Sequence, residues 1–165
     1  MPTSRRTRWA RVSSSACRSD PVQQGDDRLR LHASAVALES GAALLILGPS
    51  GSGKSALALE LMALGAVLVS DDQVDLQRDG ADIWLSAPGA IRGRIEARQV
   101  GILSARTLDR ARLCLAVDMA ETETDRLPPR RSTKLLGVAI PLLHNVDKRH
   151  FPASILQYLM AGRSD

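Results

Sequence analysis

The chain has 165 residues, 44% of them hydrophobic, and a formal net charge of +4. That length suits one domain with a substantial core and leaves no room for a large second one. Only Trp9, Trp84, Phe151 and Tyr158 are aromatic, so the core must come from Leu, Ala, Val and Ile, and no surface for stacking bases is expected.

Residues 1–27 are rich in Arg and Ser, lack apolar periodicity and are expected to form a disordered tail, with the folded domain over 28–165. Arg5, Arg6, Arg8, Arg11 and Arg18 against Asp20 account for the whole +4, so residues 21–165 are formally neutral and no nucleic-acid partner is expected. A transit peptide and an overlong start of translation both remain open for this tail. Leu29 to Leu38 alternates as a strand, Glu39-Ser40-Gly41 turns it, and Ala42 to Leu47 is an apolar run of buried-strand type. Leu57, Leu59, Leu61, Met62 and Leu64 predict a helix over Lys54 to Leu64, ended by Gly65 at positive φ.

Ala66 to Val69 reads as a short strand, and Val74 to Leu76 with Ile83 to Leu85 as a hairpin turned at Arg78-Asp79-Gly80. Ile91 to Leu103 mixes charges with single apolar residues and carries no assignable pattern. Leu113 to Val117 predicts a buried strand holding Cys114 as a small hydrophobe, and the polar stretch Asp118 to Thr133 predicts a long loop or lid. Gly137 to Leu142 reads as a final strand, and Pro152 opens a helix to about Met160 that packs through Ile155, Leu156 and Leu159. No apolar run approaches the roughly 20 residues needed to cross a bilayer. Cys17 and Cys114 form neither a disulfide framework nor a metal-ligand spacing, so a soluble protein of the reducing cytoplasm is expected, with no membrane partner.

Between the central strand and the first helix stands Gly48-Pro49-Ser50-Gly51-Ser52-Gly53-Lys54-Ser55, a complete G-x-x-x-x-G-K-[ST] phosphate-binding loop in its proper context. Glycines let the backbone N–H groups turn inward, and the helix offers the positive end of its dipole. Lys54 then reaches β- and γ-phosphate oxygens, and Ser55 places its hydroxyl on a bridging Mg²⁺. A glycine-rich surface turn would explain neither the Lys-Ser pair nor the elements on its two sides. The chain is therefore read as binding a nucleoside triphosphate.

Strand, loop, helix and strand over Gly41 to Asp72 predict a right-handed crossover that returns the second strand parallel, carrying Asp71 and Asp72 to the loop. One of two adjacent carboxylates there can take the proton of an attacking hydroxyl while the other helps with Mg²⁺ or orients the first. The plainer alternative is a turn, where Asp is common. Lys54 and Asp71 stand only 17 positions apart, closer than the magnesium aspartate of ordinary ATPases, so a typical ATPase is not expected.

Several segments in one order resemble the catalytic domain of HPr kinase/phosphorylase: His32-Ala33-Ser34-Ala35-Val36, the loop Gly48 to Ser55, the helix Ala56 to Leu64, Leu68-Val69-Ser70-Asp71-Asp72, and Ile95 to Leu103. The resemblance runs from about Leu29 to Met160. It implies an α/β fold, a single P-loop-containing domain like that of phosphoenolpyruvate carboxykinase, with a mixed sheet and flanking helices. The implied activity is ATP- and Mg²⁺-dependent phosphorylation of a serine on an HPr-like phosphocarrier protein. In many members the reverse reaction also runs, with inorganic phosphate removing the group as pyrophosphate. A homo-oligomer, commonly a hexamer, is implied as well.

Residue by residue, the resemblance makes Asp72 the proton acceptor supported by Asp71, and sets His32 near the phosphate beside that carboxylate. It makes Glu96 a second magnesium ligand opposite Ser55, and Arg126 the catalytic arginine that neutralises charge on the transferred group. Taken alone, Glu96 and Arg126 would read as solvated charges and His32 as structural. His144 and His150 match nothing and are expected at the surface.

Three departures accompany the resemblance. Gln99 stands where the family has glycine, which predicts a changed local backbone. Larger members have a separate N-terminal domain, and a chain with only the Arg-rich tail before the catalytic domain is expected to resemble the short form. The basic, glycine-containing segment tied to the reverse reaction has no clear equivalent in Ile140 to Phe151. The forward direction is therefore expected, with a small-molecule kinase and a nucleotide-sensing regulator without transfer as the alternatives.

Overall fold

The structure, a computed structural model, describes residues 22–23 and 27–165. The expected tail over 1–27, with Cys17, lies outside the described residues except for Val22–Gln23 and Asp27.

Ala42–Leu47 is the strand around which the domain is built. Its unbroken apolar run suits a strand covered on both faces. In chain order the strands are β1 (Val22–Gln23), β2 (Arg28–Leu31), β3 (Ser34–Ala37), β4 (Ala42–Leu47), β5 (Val67–Ser70), β6 (Val74–Asp79) and β7 (Asp82–Ser86). There follow β8 (Arg94–Ala97), β9 (Gly101–Ser104), β10 (Ala111–Thr122), β11 (Arg131–Leu135) and β12 (Val138–Asn145). Helix α1 spans Lys54–Ala63 and α2 spans Phe151–Ala161.

The main sheet runs β1-β2-β6-β7-β10-β4-β3-β5, with β12 pairing β10 parallel and β11 pairing β12 antiparallel. It is the mixed sheet with flanking helices that the α/β reading expected. The crossover differs in one respect. β5 does run in the direction of β4, but β3 lies between them, antiparallel to both. The alternating run Leu29 to Leu38 is likewise two strands, since the chain leaves β2 at His32-Ala33 and enters a different ladder as β3.

Two corrections follow from long-range pairing. Asp118 to Thr133 is not one loop: β10 continues to Thr122 because its far half pairs with β12 from Ala116↔Leu142 onward, leaving only 123–130 as connection. The unassigned stretch Ile91 to Leu103 holds the hairpin β8–β9, whose Ile95 and Ala97 are buried while the rest faces outward.

The sheet separates two cores. Ala35, Leu45, Val69, Leu76, Ile83, Leu85 and Leu113 fill one face. Val36, Leu44, Ile46, Leu68, Leu115 and Val117 pack under Leu57 and Leu61 of α1 and Ile155 of α2 on the other. Strand alternation would put Leu113 and Leu115 on the same face. The register shift between them, with Cys114 as the extra residue, lets one serve each core. Cys114 is accordingly half-buried rather than a core residue as expected. Gly65 ends the first helical segment at φ 105, and Ile155 and Leu156 of α2 are buried, as the sequence predicts. His150 is exposed and His144 half-buried.

Candidate active site

The phosphate loop leaves the carboxyl end of β4 and enters α1 through Gly53, which sits at φ 93. Gly48 has φ 142, and a Cβ there would lie 2.7 Å from Ser52 Oγ and 2.9 Å from Met119 Cβ, so only glycine fits. Ser52 Oγ is buried with no partner among the described residues. A cradle this close, with an orphaned hydroxyl inside it, suits an anion that accepts hydrogen bonds.

Lys54 is only 6% exposed, and its Nζ donates to the carbonyls of Gly48 and Pro49, each at 3.0 Å, and to His32 Nε2 at 3.2 Å. Burial lowers its pKa below the ordinary lysine value, and the charges of Asp72 and Asp71 oppose that shift. An ammonium can only donate, so Nε2 of His32 accepts and Nδ1 carries the proton. That Nδ1–H donates to the Asp72 carbonyl at 2.9 Å and lies 3.2 Å from Asp72 Oδ1.

Asp71 and Asp72 end β5 at the same cleft and differ in every physical respect. Asp71 is 4% exposed. Its Oδ1 accepts from Ser34 Oγ at 2.6 Å and Ser55 Oγ at 2.8 Å, and its Oδ2 accepts the Glu96 backbone N–H at 3.0 Å. Asp72 has a side chain 66% exposed, on a backbone held at φ 69. The left-handed conformation costs a non-glycine residue of order 1–2 kcal/mol, and such residues gather at functional turns. Here it lets the Asp72 carbonyl accept from both Ala33 N and His32 while its carboxylate turns outward.

The cleft in front of these residues has a volume of about 420 Å³, and Glu96 and Arg98 of the β8–β9 hairpin line its far wall. The turn between those strands closes with Val100 N–H donating to the Ala97 carbonyl, and Gln99 sits in it at φ 66. That left-handed conformation is one that glycine adopts freely and glutamine only at a cost.

The structure therefore brings His32, Lys54, Ser55, Asp71, Asp72 and Glu96 to one cleft with Ser50, Gly51 and Gly53. Arg126 is not among them. It lies exposed in the 123–130 connection, which is pinned by Glu123 accepting from the N–H groups of Thr124 and Asp125 and by Arg163 donating to the Pro128 carbonyl. Two residues of the cleft were not singled out from the sequence. Ser34, fully buried on Asp71, lies inside the element His32 to Val36, and Arg98, whose guanidinium approaches Gly51, lies inside Ile95 to Leu103. Both motifs pointed at them, but a serine in a strand and an arginine in a turn carry no distinguishing local signal.

Among the described residues no cluster of three or more His, Cys, Asp or Glu forms a metal cage. Ser55 Oγ and Asp71 Oδ1 are nonetheless the hard oxygen donors that suit a cation shared with phosphate oxygens.

Three comparisons with known proteins bear on this geometry. The family model for the HPr Serine kinase C-terminal domain matches residues 26–144. Proteins named HPr kinase/phosphorylase from Caldanaerobacter subterraneus and Aromatoleum aromaticum are each 37% identical, over 116 and 114 residues. Those matches cover 62% and 61% of this chain but only 38% and 36% of the relatives, so the chain spans well under half their length. The solved Hpr(Ser) kinase/phosphatase from Coxiella burnetii superposes with a TM-score of 0.66 at 22% identity, over 79% of this chain and 93% of that one. The chain belongs to the HPr serine kinase C-terminal domain family.

Proposed function

We propose that this chain is the catalytic domain of a cytoplasmic protein kinase that uses ATP and Mg²⁺ to phosphorylate a serine on an HPr-like phosphocarrier protein. The observation that carries this reading is the hydrogen bond from Ser55 to Asp71, with the exposed Asp72 next in the chain and Lys54 behind it. The relatives' names supply the carrier, and the homo-oligomer, a hexamer, is part of the same proposal.

Backbone N–H groups of Gly48 to Ser55 and the ammonium of Lys54 hold the phosphates. Lys54 exchanges its two loop carbonyls for phosphate oxygens, which releases His32 Nε2 as well. Ser55 and Asp71 are the residues that would hold Mg²⁺, with Glu96 as the second carboxylate. When bound, the metal draws off charge developing between the β- and γ-phosphates. Asp72 then takes the proton of the acceptor serine while the serine oxygen bonds to the γ-phosphorus. The bond from that phosphorus to the bridging oxygen breaks, and ADP leaves with the electron pair. His32 steadies Asp72 through Nδ1–H. Arg126 would have to swing in, whereas Arg98 already faces the cleft and is the nearer candidate for neutralising the transferred group.

One feature favours a protein acceptor over a small metabolite. Val100 is 76% exposed at the cleft, and Ile102 beside it on β9 is 65% exposed, an apolar rim suited to a macromolecular partner.

Incubation with radiolabelled ATP and an HPr protein tests the proposal. The carrier is expected to be labelled, and Asp72→Asn to abolish labelling while nucleotide binding survives. Labelled metabolites would favour a small-molecule kinase, and tight nucleotide binding with no acceptor a regulator.

A further inference from the structure

β3 is an apolar strand with one hydroxyl in it. Ala35, Val36 and Ala37 are fully buried, as is Ala33 just before the strand, and so is Ser34 among them. Burying a hydroxyl in such surroundings costs free energy unless it finds a partner. The partner here is Asp71: Ser34 Oγ donates to Oδ1 at 2.6 Å, the length of a hydrogen bond from a hydroxyl to a carboxylate. Strand order makes the contact. β3 lies between β4 and β5, with Ser34 opposite Ile46 and Ala35 opposite Ser70, so Ser34 meets the residue after Ser70 from inside the sheet.

The same oxygen, Oδ1, accepts from Ser55 Oγ at 2.8 Å. A carboxylate oxygen offers two lone pairs, so Ser34 occupies one and leaves the other facing Ser55. The last torsion of an aspartate is soft, and its carboxylate turns unless both oxygens are held. Three donors hold this one. Ser55 is the donor that a bound cation would recruit, and the Glu96 N–H on Oδ2 belongs to the hairpin wall. Ser34 alone acts from the interior of the sheet. We infer that Ser34 is a positioning residue for the cation site, fixing the Asp71 carboxylate so that Oδ1 faces the place where Ser55 and the phosphates would share Mg²⁺. This rests on the reading that Ser55 and Asp71 hold that metal.

Calorimetric titration with inorganic pyrophosphate, with and without Mg²⁺, isolates the cation's share of binding. In the wild-type chain Mg²⁺ should tighten pyrophosphate binding. Ser34→Ala exchanges one small residue for another in an alanine-rich strand and carries little folding risk. It should reduce the Mg²⁺-dependent gain about tenfold, the usual cost of losing a group that orients a metal ligand, and leave Mg²⁺-free affinity within about twofold. In an Asp71→Asn background the same substitution should change the gain by less than about twofold, because Ser34 acts through that carboxylate. A gain left intact in Ser34→Ala, a loss equal with and without Mg²⁺, or additive losses in the double variant would overturn the inference and leave the proposed function standing. A wild-type chain that gains nothing from Mg²⁺ would instead overturn the metal assignment to Ser55 and Asp71, and the inference with it.

Discussion

The two walls of the acidic cleft are built in opposite ways. On one side, β4, the phosphate loop, α1 and the end of β5 form a wall in which Lys54 and Asp71 are buried and their polar atoms are bonded within the protein. Facing it, the β8–β9 hairpin is anchored through buried Ile95 and Ala97 and the Glu96 N–H on Asp71, and presents Glu96, Arg98 and Val100 to solvent. A buried, bonded wall fixes groups that must meet a small, invariant ligand. An exposed wall on a two-stranded hairpin can adjust to a larger partner. Under the proposed function the first wall would hold phosphate and the second would select the acceptor, and substitutions should separate them.

The largest effect is expected at the boundary residue, Asp72. Asp72→Asn should lower the rate of carrier labelling by about 10²–10⁴-fold, the usual contribution of a proton acceptor, with ADP affinity nearly unchanged in the same preparation. An equal fall in binding would place Asp72 on the phosphate wall instead. Next comes Lys54→Met, which should weaken pyrophosphate by about a hundredfold, roughly 2.7 kcal/mol, in calorimetry. Because burial lowers the Lys54 pKa, the folded chain binds fewer protons than the unfolded one in the window just below the ordinary 10.5. Stability should therefore rise with pH through that window. Lys54→Met removes the buried charge, so its melting temperature should not fall and that pH-dependent rise should disappear.

A smaller effect, on stability as well as function, is expected at Asp71. Asp71→Ala leaves Ser34 Oγ, Ser55 Oγ and the Glu96 N–H without their acceptor, and should cost about 1–3 kcal/mol in chemical denaturation. The smallest belongs to the hairpin. Gln99→Gly removes the strain of φ 66 but adds freedom to the unfolded chain, so a net gain of only about 0.5 kcal/mol is expected, with pyrophosphate affinity unchanged. A loss of phosphate binding in that variant would erase the distinction between the walls.

The same division governs what could be read from the chain. The phosphate wall was legible because its signals are local: a loop motif between a strand and a helix, and two acids at the end of the next strand. What escaped was set by distant pairing. Nothing in Ser34 to Ala37 announces that β3 will insert between β4 and β5, since all three are short apolar runs of similar composition. Asp118 to Thr122 reads as loop because those side chains clear the core, yet β12 holds their backbone in the sheet. Residues 94–104 carry too few apolar side chains to display a strand period, because the hairpin buries little beyond Ile95 and Ala97. Arg126 came from the resemblance alone, and no packing or hydrogen bond to a described residue draws it to the cleft.

The register shift at Cys114 behaves like a reading frame. Upstream of it Ala111 and Leu113 feed one core, and downstream Leu115 and Val117 feed the other, beneath the helix that presents Lys54 and Ser55. The residue at that position is the unpaired one of the bulge, so its chemistry matters little. Cys114→Ser should be nearly silent, and excision of residue 114 should leave Leu113 and Leu115 adjacent and still on opposite faces, whereas insertion of one residue between Leu115 and Ala116 would turn Val117 away from α1.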